Sequence, residues 1–318
     1  MAAGGGVSPP GGGVDAGQGQ PALSDADFAA LARLVREESG IHLPPSKRGL
    51  VLSRLSKRLR ALGLEDFGAY CRHLKAPSGA EERGRLISAL TTNVTRFFRE
   101  DHHFAVLREK VLPPLLDNAT RGRRVRLWSA GCSSGEEPYS IAITILDLMP
   151  DAARHDIRVL ATDIDPQVVA TARAGVYPAA ALEPLTPEQR RRYFVPEGTG
   201  GGPGSMAVAA APRGLITFGV LNLIGEWPFR GPFDVIFCRN VVIYFDAATQ
   251  ERLWRRYADL LCAEGHLFIG HSERLSRSAE PLFASQGVTH YRKRPAGPGA
   301  GAAPPRRDGA THNTETGT

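Results

Sequence analysis

The segment Leu127–Ser140, with the sequence LWSAGCSSGEEPYS, constrains the fold of this chain most strongly. Before its glycines, the apolar residues Val125 and Leu127 alternate with arginines, as in a half-buried strand. After them, Pro138 suits the first turn of an apolar helix that runs to about Leu148. A strand that passes through a glycine turn into a helix predicts a ligand cradle, because glycine lets the backbone approach a ligand closely.

The charge of this turn restricts the ligand. Glu136 and Glu137 stand where a pyrophosphate would have to sit, so they repel a polyanion and attract a cation. Gly131 and Gly135 fit neither of the common phosphate-binding patterns. Asp163 ends the next predicted strand, where a doubly wound sheet places an acid that accepts hydrogen bonds from a ribose. A positively charged nucleoside without phosphates, such as S-adenosylmethionine, fits the charge of this turn and the acid at Asp163. In the alternative interpretation, the glycines form a structural turn and the glutamates favour the helix dipole.

Composition and periodicity divide the chain into two ordered domains between two tails. The 318 residues, 42% of them hydrophobic, suffice for one large or two moderate domains. We predict a disordered tail over 1–22, a bundle of about four helices over 23–90, an α/β domain over 91–295 and a second disordered tail over 296–318. Within the α/β domain, 176–214 interrupts the alternation and predicts an inserted subdomain with a flexible Gly198–Gly204 loop.

The α/β domain alternates strands and helices in a doubly wound pattern. Strands are predicted near 124–129, 157–162, 215–218, 233–238 and 266–270, helices over 138–148, 166–174 and 247–262, and a hairpin over Leu282–Arg292. The chain start lacks a signal peptide pattern, and no apolar run approaches the ~20 residues of a membrane span. We therefore expect a cytoplasmic protein without direct membrane insertion.

Metal and disulfide chemistry are not indicated. Cys71, Cys132, Cys238 and Cys262 are scattered without a C-x-x-C pair, so we expect reduced thiols. His102, His103 and His271 have no second ligand group at useful spacing, and no metal is predicted.

A basic helix is predicted between Ser46 and Gly63. Its cations are Lys47, Arg48, Arg54, Lys57, Arg58 and Arg60. No acidic residue lies between the first and the last of these, so pairs along the helix cannot neutralise them, and an acidic partner surface is predicted. A solvated face is the alternative. Nucleic acid is not favoured as a partner, because the helix lacks interleaved aromatic residues and 33 acidic residues accompany the net charge of +6.

Five motifs, in order along residues 24–293, carry a family resemblance. They are Thr91–Glu100 (TTNVTRFFRE), the glycine turn described above, Ala161–Asp165 (ATDID), Cys238–Asp246 (CRNVVIYFD) and Gly270–Glu273 (GHSE). Together they resemble the CheR-type chemoreceptor glutamate O-methyltransferases.

The resemblance implies a fold and a function. The fold would be an all-α N-terminal domain followed by a doubly wound, Rossmann-like S-adenosylmethionine-dependent methyltransferase domain with an inserted small β-subdomain. The enzyme would transfer a methyl group from S-adenosylmethionine to glutamate side chains of chemoreceptors, giving glutamate methyl esters and S-adenosylhomocysteine, for sensory adaptation. Its partners would be the acidic methylation helices of chemoreceptors, with Lys47, Arg48, Arg54, Lys57 and Arg58 as docking residues. We expect a cytoplasmic monomer recruited to membrane receptor arrays.

The resemblance also implies site residues. The cofactor contacts would be Asn93, Thr95, Arg99, Glu136, Asp163, Asn222, Leu223, Arg239 and Asn240. Glu136 would hold the cationic methionyl group, Asp163 the ribose hydroxyls and Asn222 the adenine edge. Arg99 and Tyr244 would lie near the transferred methyl group as catalytic residues, Arg99 steering the acidic substrate. For Tyr244 the alternative is an aromatic residue packed in the core at a strand end.

The acceptor explains why no catalytic triad is required. A glutamate with a pKa near ~4.3 is already ionised at neutral pH, so no general base has to be found. Two other functions stay open: a methyltransferase acting on RNA or a small molecule, and a noncatalytic receptor-binding relic. An RNA enzyme would be expected to need a longer basic and aromatic track. A relic should have lost cofactor contacts, whereas every expected position is occupied.

Overall fold

Four helices form the N-terminal part of the molecule. The computed structural model describes residues 21–198 and 204–295. The helices are α1 (Asp25–Ser39), α2 (Arg48–Leu62), α3 (Phe67–Lys75) and α4 (Ala80–Leu90). Ser24 caps α1 by accepting a hydrogen bond from the Asp27 backbone N–H, and Gly40 ends it in the left-handed conformation. Helix α2 packs through Val51, Leu55 and Leu59, which are fully buried in the bundle core.

The remaining chain alternates helices and strands, as predicted. The helices are α5 (Asp101–Val106), α6 (Leu112–Thr120), α7 (Glu136–Leu148), α8 (Pro166–Ala174), α9 (Pro187–Tyr193), α10 (Ala210–Gly214) and α11 (Ala247–Leu260). The strands are β1 (Val125–Ala130), β2 (Ile157–Asp163), β3 (Val176–Pro178), β4 (Phe194–Pro196), β5 (Ser205–Val208), β6 (Ile216–Val220), β7 (Phe233–Cys238), β8 (Leu261–Ile269), β9 (Phe283–Gly287) and β10 (His290–Lys293).

Seven strands form a doubly wound main sheet in the order β6-β2-β1-β7-β8-β10-β9. The first five are parallel, and β10 pairs antiparallel with both β8 and β9, so the predicted C-terminal hairpin is confirmed. The strand order reverses between β1 and β7. Because β1 is in register with both β2 and β7, the carboxyl ends of these strands meet at one edge of the sheet. Ligands of doubly wound sheets bind outside this edge, at the point of reversal.

A second, three-stranded antiparallel sheet lies within the segment predicted as an insertion. Its order is β3-β5-β4, so a small β-subdomain interrupts the main sheet. Residues 199–203 of the predicted flexible loop lie outside the described residues, as do 1–20 and 296–318 of the predicted tails.

Two features differ from the sequence-based expectation or were missed by it. A nearly continuous helical segment, α5, a π-helical turn (Leu107–Val111) and α6, covers residues for which we made no prediction. Strand β8 begins at Leu261, not near 266, because α11 ends earlier than predicted. Glu264 in β8 adopts a positive φ of 64°, and the pairing with β7 shifts register there, as at a bulge.

Within the described ranges, no helix combines the length and apolar character needed to cross a bilayer. All four cysteines are free thiols.

Candidate active site

A cavity lies between the carboxyl edge of the main sheet and the helical domain. Its wall comes from the end of α1, the linker after α4 and the loops that follow β1, β2, β6 and β7. The principal lining residues are Ser39, Ile41, Thr91–Arg96, Arg99, Gly131, Ser133, Glu137, Thr162–Ile164, Leu221–Leu223, Arg239–Val241, Tyr244 and Phe245. The cavity thus occupies the edge at which the topology places a ligand.

The two glycines of the turn after β1 have different roles. Gly131 lines the cavity with φ of 103°, and a Cβ there would lie 2.3 Å from a methyl group of Val241. Gly135 faces away from the cavity lining, where a Cβ would approach the Tyr177 hydroxyl and the Ala172 Cβ at 2.8 and 2.9 Å. Gly131 therefore shapes the cavity, whereas Gly135 permits close packing of the helix start against β3 and α8.

The placement of the two glutamates differs from our expectation. Glu136, the expected cofactor contact, is absent from the cavity lining, and its carboxylate accepts a hydrogen bond from Ser134 Oγ at 2.7 Å. Glu137 lines the cavity in its place. Successive helical residues point about 100° apart, so the helix phase turns one glutamate toward the cavity and its neighbour away from it. The expected role of Glu136 as a cofactor contact stays a prediction, and Glu137 becomes a second candidate because it lines the cavity.

Glu137 is held by two partners. One carboxylate oxygen accepts a hydrogen bond from Ser129 Oγ at 2.7 Å, and the other lies 3.4 Å from the Arg239 guanidinium. Burial raises the pKa of Glu137, and the charge of Arg239 opposes that rise. The cavity therefore presents a largely buried acid at the β1 end.

Asp163 presents a second acid at the end of β2. Its carboxylate accepts hydrogen bonds from the backbone N–H groups of Ser133 at 2.9 Å and Asp165 at 3.1 Å, which fixes the turn after β1. Burial raises the pKa of Asp163, while these N–H groups favour its ionised form. A carboxylate has about four acceptor positions, so capacity remains for the hydroxyls of a ligand.

The linker after α4 forms the wall opposite the sheet. Asn93, Thr95 and Arg99 all line the cavity, as expected. The carbonyl of Asn93 accepts a hydrogen bond from Ser133 Oγ at 2.9 Å, and its side-chain amide donates to Asp165 at 3.1 Å. These bonds join the linker directly to the loops after β1 and β2.

The loop after β7 carries three further expected residues. The guanidinium of Arg239 is 2% exposed and lies between the carboxylates of Glu100, at 3.6 Å, and Glu137. Asn240 adopts a left-handed conformation with φ of 59°. Tyr244 follows in a short 3₁₀ turn, where it lines the cavity and also packs partly against the helical core. Tyr244 is therefore placed both as a cavity residue and as an aromatic residue that packs against the core, the two alternatives given above.

Asn222 and Leu223 line the cavity from the loop after β6. The Asn222 amide donates to the Glu38 carbonyl at 2.6 Å and accepts from the Ile224 N–H at 3.1 Å. The Asn222 side chain thus connects the loop after β6 to the end of α1. This contact was not part of the role expected for it at an adenine edge.

Most of the expected side chains meet at this cavity, although they come from four separate segments. They are Asn93, Thr95, Arg99, Asp163, Asn222, Leu223, Arg239, Asn240 and Tyr244. Ser39 and Ile41 also line the cavity, at the end of α1 and just after it, and were not predicted. No local signal marks these two residues, because their position depends on how the two domains pack.

The structure corrects the view that the cations of α2 lack internal partners. Arg48 forms an ion pair with Asp25 of α1, and Arg58 pairs with Glu82 of α4 at 2.5 Å. Arg54 donates to three carbonyls at the end of α4, including that of Thr91 at 2.7 Å. The acceptors come from neighbouring helices, which a search along one helix could not find.

Three cations of the predicted basic helix are exposed: Lys47, in the 3₁₀ turn that precedes α2, and Lys57 and Arg60 within α2. Across the described ranges, none of them forms an ion pair. The predicted docking role of Lys47, Arg48, Arg54, Lys57 and Arg58 stays a prediction. Of these, the exposed Lys47 and Lys57 carry no ion pair within the described residues, and Arg60 shares this property.

One group of side chains near the cavity has donor atoms that a metal ion could use. Glu100, His102 and His103 bring such atoms within 4.8 Å of one another, a contact that the sequence analysis did not foresee. The Arg239 guanidinium lies 3.6 Å from the Glu100 carboxylate. Its positive charge opposes a cation at this point.

Comparison with known proteins agrees with this architecture. A family model described as the all-alpha domain of CheR methyltransferases matches residues 26–91, and one described as their SAM binding domain matches 93–292. The "Probable chemotaxis protein methyltransferase" of Rhizobium etli is 52% identical over 81% of this chain and 96% of its own length. The chemotaxis protein methyltransferases of Salmonella typhimurium and Escherichia coli are 45% and 44% identical, each over 85% of this chain and 91% of their own length. The chain therefore belongs to the CheR methyltransferase family.

Proposed function

We propose that this protein transfers a methyl group from S-adenosylmethionine to glutamate side chains of chemoreceptors, giving glutamate methyl esters and S-adenosylhomocysteine for sensory adaptation. One observation carries the choice of acceptor. Among the described residues that line the cavity, Arg96 and Arg99 are available to attract an acid, and none is a histidine or lysine that could serve as a base. This set suits an acceptor that arrives already ionised.

The cavity fits S-adenosylmethionine, the cofactor of the family. Gly131 keeps the floor of the cavity clear where a Cβ would collide with Val241. Glu137 and Asp163 supply two acids and no phosphate site, which matches a cationic nucleoside. When bound, S-adenosylmethionine supplies a methyl group on a positively charged sulfur.

The chain's own residues divide the work of binding. Glu137 would hold the methionyl ammonium group, and Arg239, 3.4 Å from the carboxylate, favours its ionised form against the burial that raises its pKa. Asp163 would accept hydrogen bonds from the ribose hydroxyls, while Asn93 and Thr95 close the cavity from the linker side.

Arg99 and Tyr244 act on the acceptor. The Arg99 guanidinium attracts the incoming carboxylate, and the Tyr244 hydroxyl donates a hydrogen bond that orients it. A glutamate carboxylate has a pKa near ~4.3, so it is ionised at neutral pH and needs no proton removal. Excluding water from the carboxylate and aligning it are the contributions that remain for the protein.

The exposed cations in α2 and in the turn before it support a partner of acidic character. Lys47, Lys57 and Arg60 carry no ion pair in the described part of the chain, so an acidic receptor helix gains their attraction without breaking existing pairs. This attraction weakens at high salt, because surface charges are screened beyond about 8–10 Å at physiological ionic strength.

The proposal is tested by incubating the protein with methyl-labelled S-adenosylmethionine and membranes that contain chemoreceptors. Label in receptor protein that is released by mild alkali is expected, since carboxyl methyl esters hydrolyse in base. Alkali-stable label, or label in RNA or small molecules, would contradict the proposal and favour the alternative methyltransferase function.

A further inference from the structure

Glu273 is a buried carboxylate that the proposed reaction does not use. It is 3% exposed and lies in the turn that follows β8. Its carboxylate accepts four backbone hydrogen bonds. One oxygen accepts from Gly270 at 2.5 Å and Asn240 at 3.0 Å, and the other accepts from Val241 and Val242, both at 2.9 Å.

Three of these donors belong to the loop after β7, which carries cofactor-site residues. Asn240 and Val241 line the cavity, and Arg239 precedes them. The loop leaves the strand in a left-handed conformation at Asn240, with φ of 59°. A non-glycine residue adopts this conformation at a cost and keeps it where surrounding contacts fix it. The Glu273 carboxylate is such a contact, since it accepts the N–H groups of three successive residues.

The turn that holds Glu273 is built to approach this loop closely. A Cβ at Gly270 would lie 2.6 Å from the Asn240 amide nitrogen, 2.8 Å from its backbone N and 2.9 Å from the Glu273 carboxylate. Any side chain at Gly270 would therefore displace both the loop and its anchor. Burial raises the pKa of Glu273, and the N–H donors oppose this by favouring the ionised form.

We propose that Glu273 is a positioning residue for the cofactor site, whose carboxylate fixes the Arg239–Val242 loop in the conformation that binds S-adenosylmethionine. The inference rests on the family's cofactor and not on the identity of the methyl acceptor. It assigns to the GHSE motif a role that the cavity lining alone does not reveal.

A glutamine at this position has nearly the same shape but a different hydrogen-bonding capacity. Its amide oxygen can still accept, whereas its amide nitrogen is a donor that faces backbone N–H donors. The Glu273→Gln variant therefore loses two acceptor contacts to the loop without creating a cavity. We expect its dissociation constant for S-adenosylhomocysteine to rise about tenfold or more.

Asp234 provides a matched control at the opposite end of β7. Its carboxylate also accepts a backbone hydrogen bond, from Arg126 at 2.8 Å, but it lies away from the cavity lining. The Asp234→Asn variant is expected to lose thermal stability and to keep the parent affinity for S-adenosylhomocysteine.

The experiment is calorimetric titration of the full-length variants with S-adenosylhomocysteine, well below their melting temperatures. Titration separates the fraction of competent protein, read from the stoichiometry, from the dissociation constant. A merely structural role changes the stoichiometry or the melting temperature and leaves the dissociation constant alone, so an unchanged constant in Glu273→Gln would overturn the proposal. Where Glu273→Gln does not fold, Gly270→Ala gives the same test by displacing the same loop, and parental affinity in it would equally overturn the proposal.

Discussion

The two adjacent glutamates of the turn after β1 permit a sharp prediction. Glu137 lines the cavity and Glu136 does not, so we expect Glu137→Gln to weaken cofactor binding and Glu136→Gln to leave it nearly unchanged. Both changes remove one negative charge from the same helix start and preserve side-chain size. They therefore share their effect on the helix dipole and differ in what they present to the cavity.

The expected loss of cofactor affinity in Glu137→Gln can be estimated from the contacts of Glu137. A hydrogen bond to a charged group contributes about 1.5–3 kcal/mol, which corresponds to a change of about 10- to 100-fold in the dissociation constant. Loss of the Glu137 charge leaves the Arg239 guanidinium with Glu100 at 3.6 Å, so that buried cation retains one counter-ion and the fold should persist. For Glu136→Gln the amide oxygen can still accept from Ser134, and we expect a change below about twofold.

Acidic pH should also weaken cofactor binding, because protonation removes the charge of Glu137. Burial raises the pKa of Glu137, so this group takes up its proton at a higher pH than an ordinary glutamate as the solution is acidified. Protonation removes the charge that attracts the ammonium group. Affinity for S-adenosylhomocysteine should therefore fall as the pH drops through the raised pKa of Glu137. Glu137→Gln should show a weaker pH dependence, of which the part due to Asp163 remains, since burial raises the pKa of Asp163 too.

Titration calorimetry of both variants with S-adenosylhomocysteine, near neutral and at acidic pH, checks the prediction. Weakened binding in Glu136→Gln together with parental binding in Glu137→Gln would refute the assignment.

Three further predictions concern the helical surface, the floor of the cavity and acid stability. Lys57→Glu should reduce receptor methylation without changing the melting temperature or the cofactor affinity. Arg58→Glu should lower the melting temperature, because it leaves the buried Glu82 beside a like charge. Equal melting temperatures of the two variants would contradict this distinction. Gly131→Ala should abolish measurable binding of S-adenosylhomocysteine, since the added Cβ meets Val241 at 2.3 Å, and retained affinity in calorimetry would show that the loop adapts. Burial raises the pKa of Glu82, but the hydrogen bonds from Arg58 and Tyr70 outweigh it and hold the pKa below its usual value. This contribution to stability is present above the unfolded pKa and is lost as the pH falls through the folded pKa, so acid melting curves of the parent and Glu82→Gln should converge at low pH.

Local patterns allowed much of the fold to be predicted. The helix predicted to contain Pro138 in its first turn and to end near Leu148 is confirmed as α7, because such signals lie in neighbouring residues of the chain. The strand before Gly131 was likewise found from its alternation of apolar and polar residues.

The features that were not predicted depend on distant parts of the chain. The helix phase that turns Glu137 toward the cavity is set by packing, not by the GEE sequence. Arg58 finds its acidic partner in another helix, and Ile41 reaches the cavity through the contact between the domains. Glu273 was included in a motif, but its four hydrogen bonds become visible once β7 and β8 lie side by side.

The central claim is that the cavity serves carboxyl methylation of a receptor. Peptide mass spectrometry of chemoreceptors, after incubation with S-adenosylmethionine and either the parent protein or Arg99→Ala, tests it most directly. We predict that glutamate-containing receptor peptides gain the mass of one methylene with the parent protein and much less with the variant. Methylation found on nitrogen-bearing side chains, or equal glutamate methylation by the Arg99→Ala variant, would contradict the account.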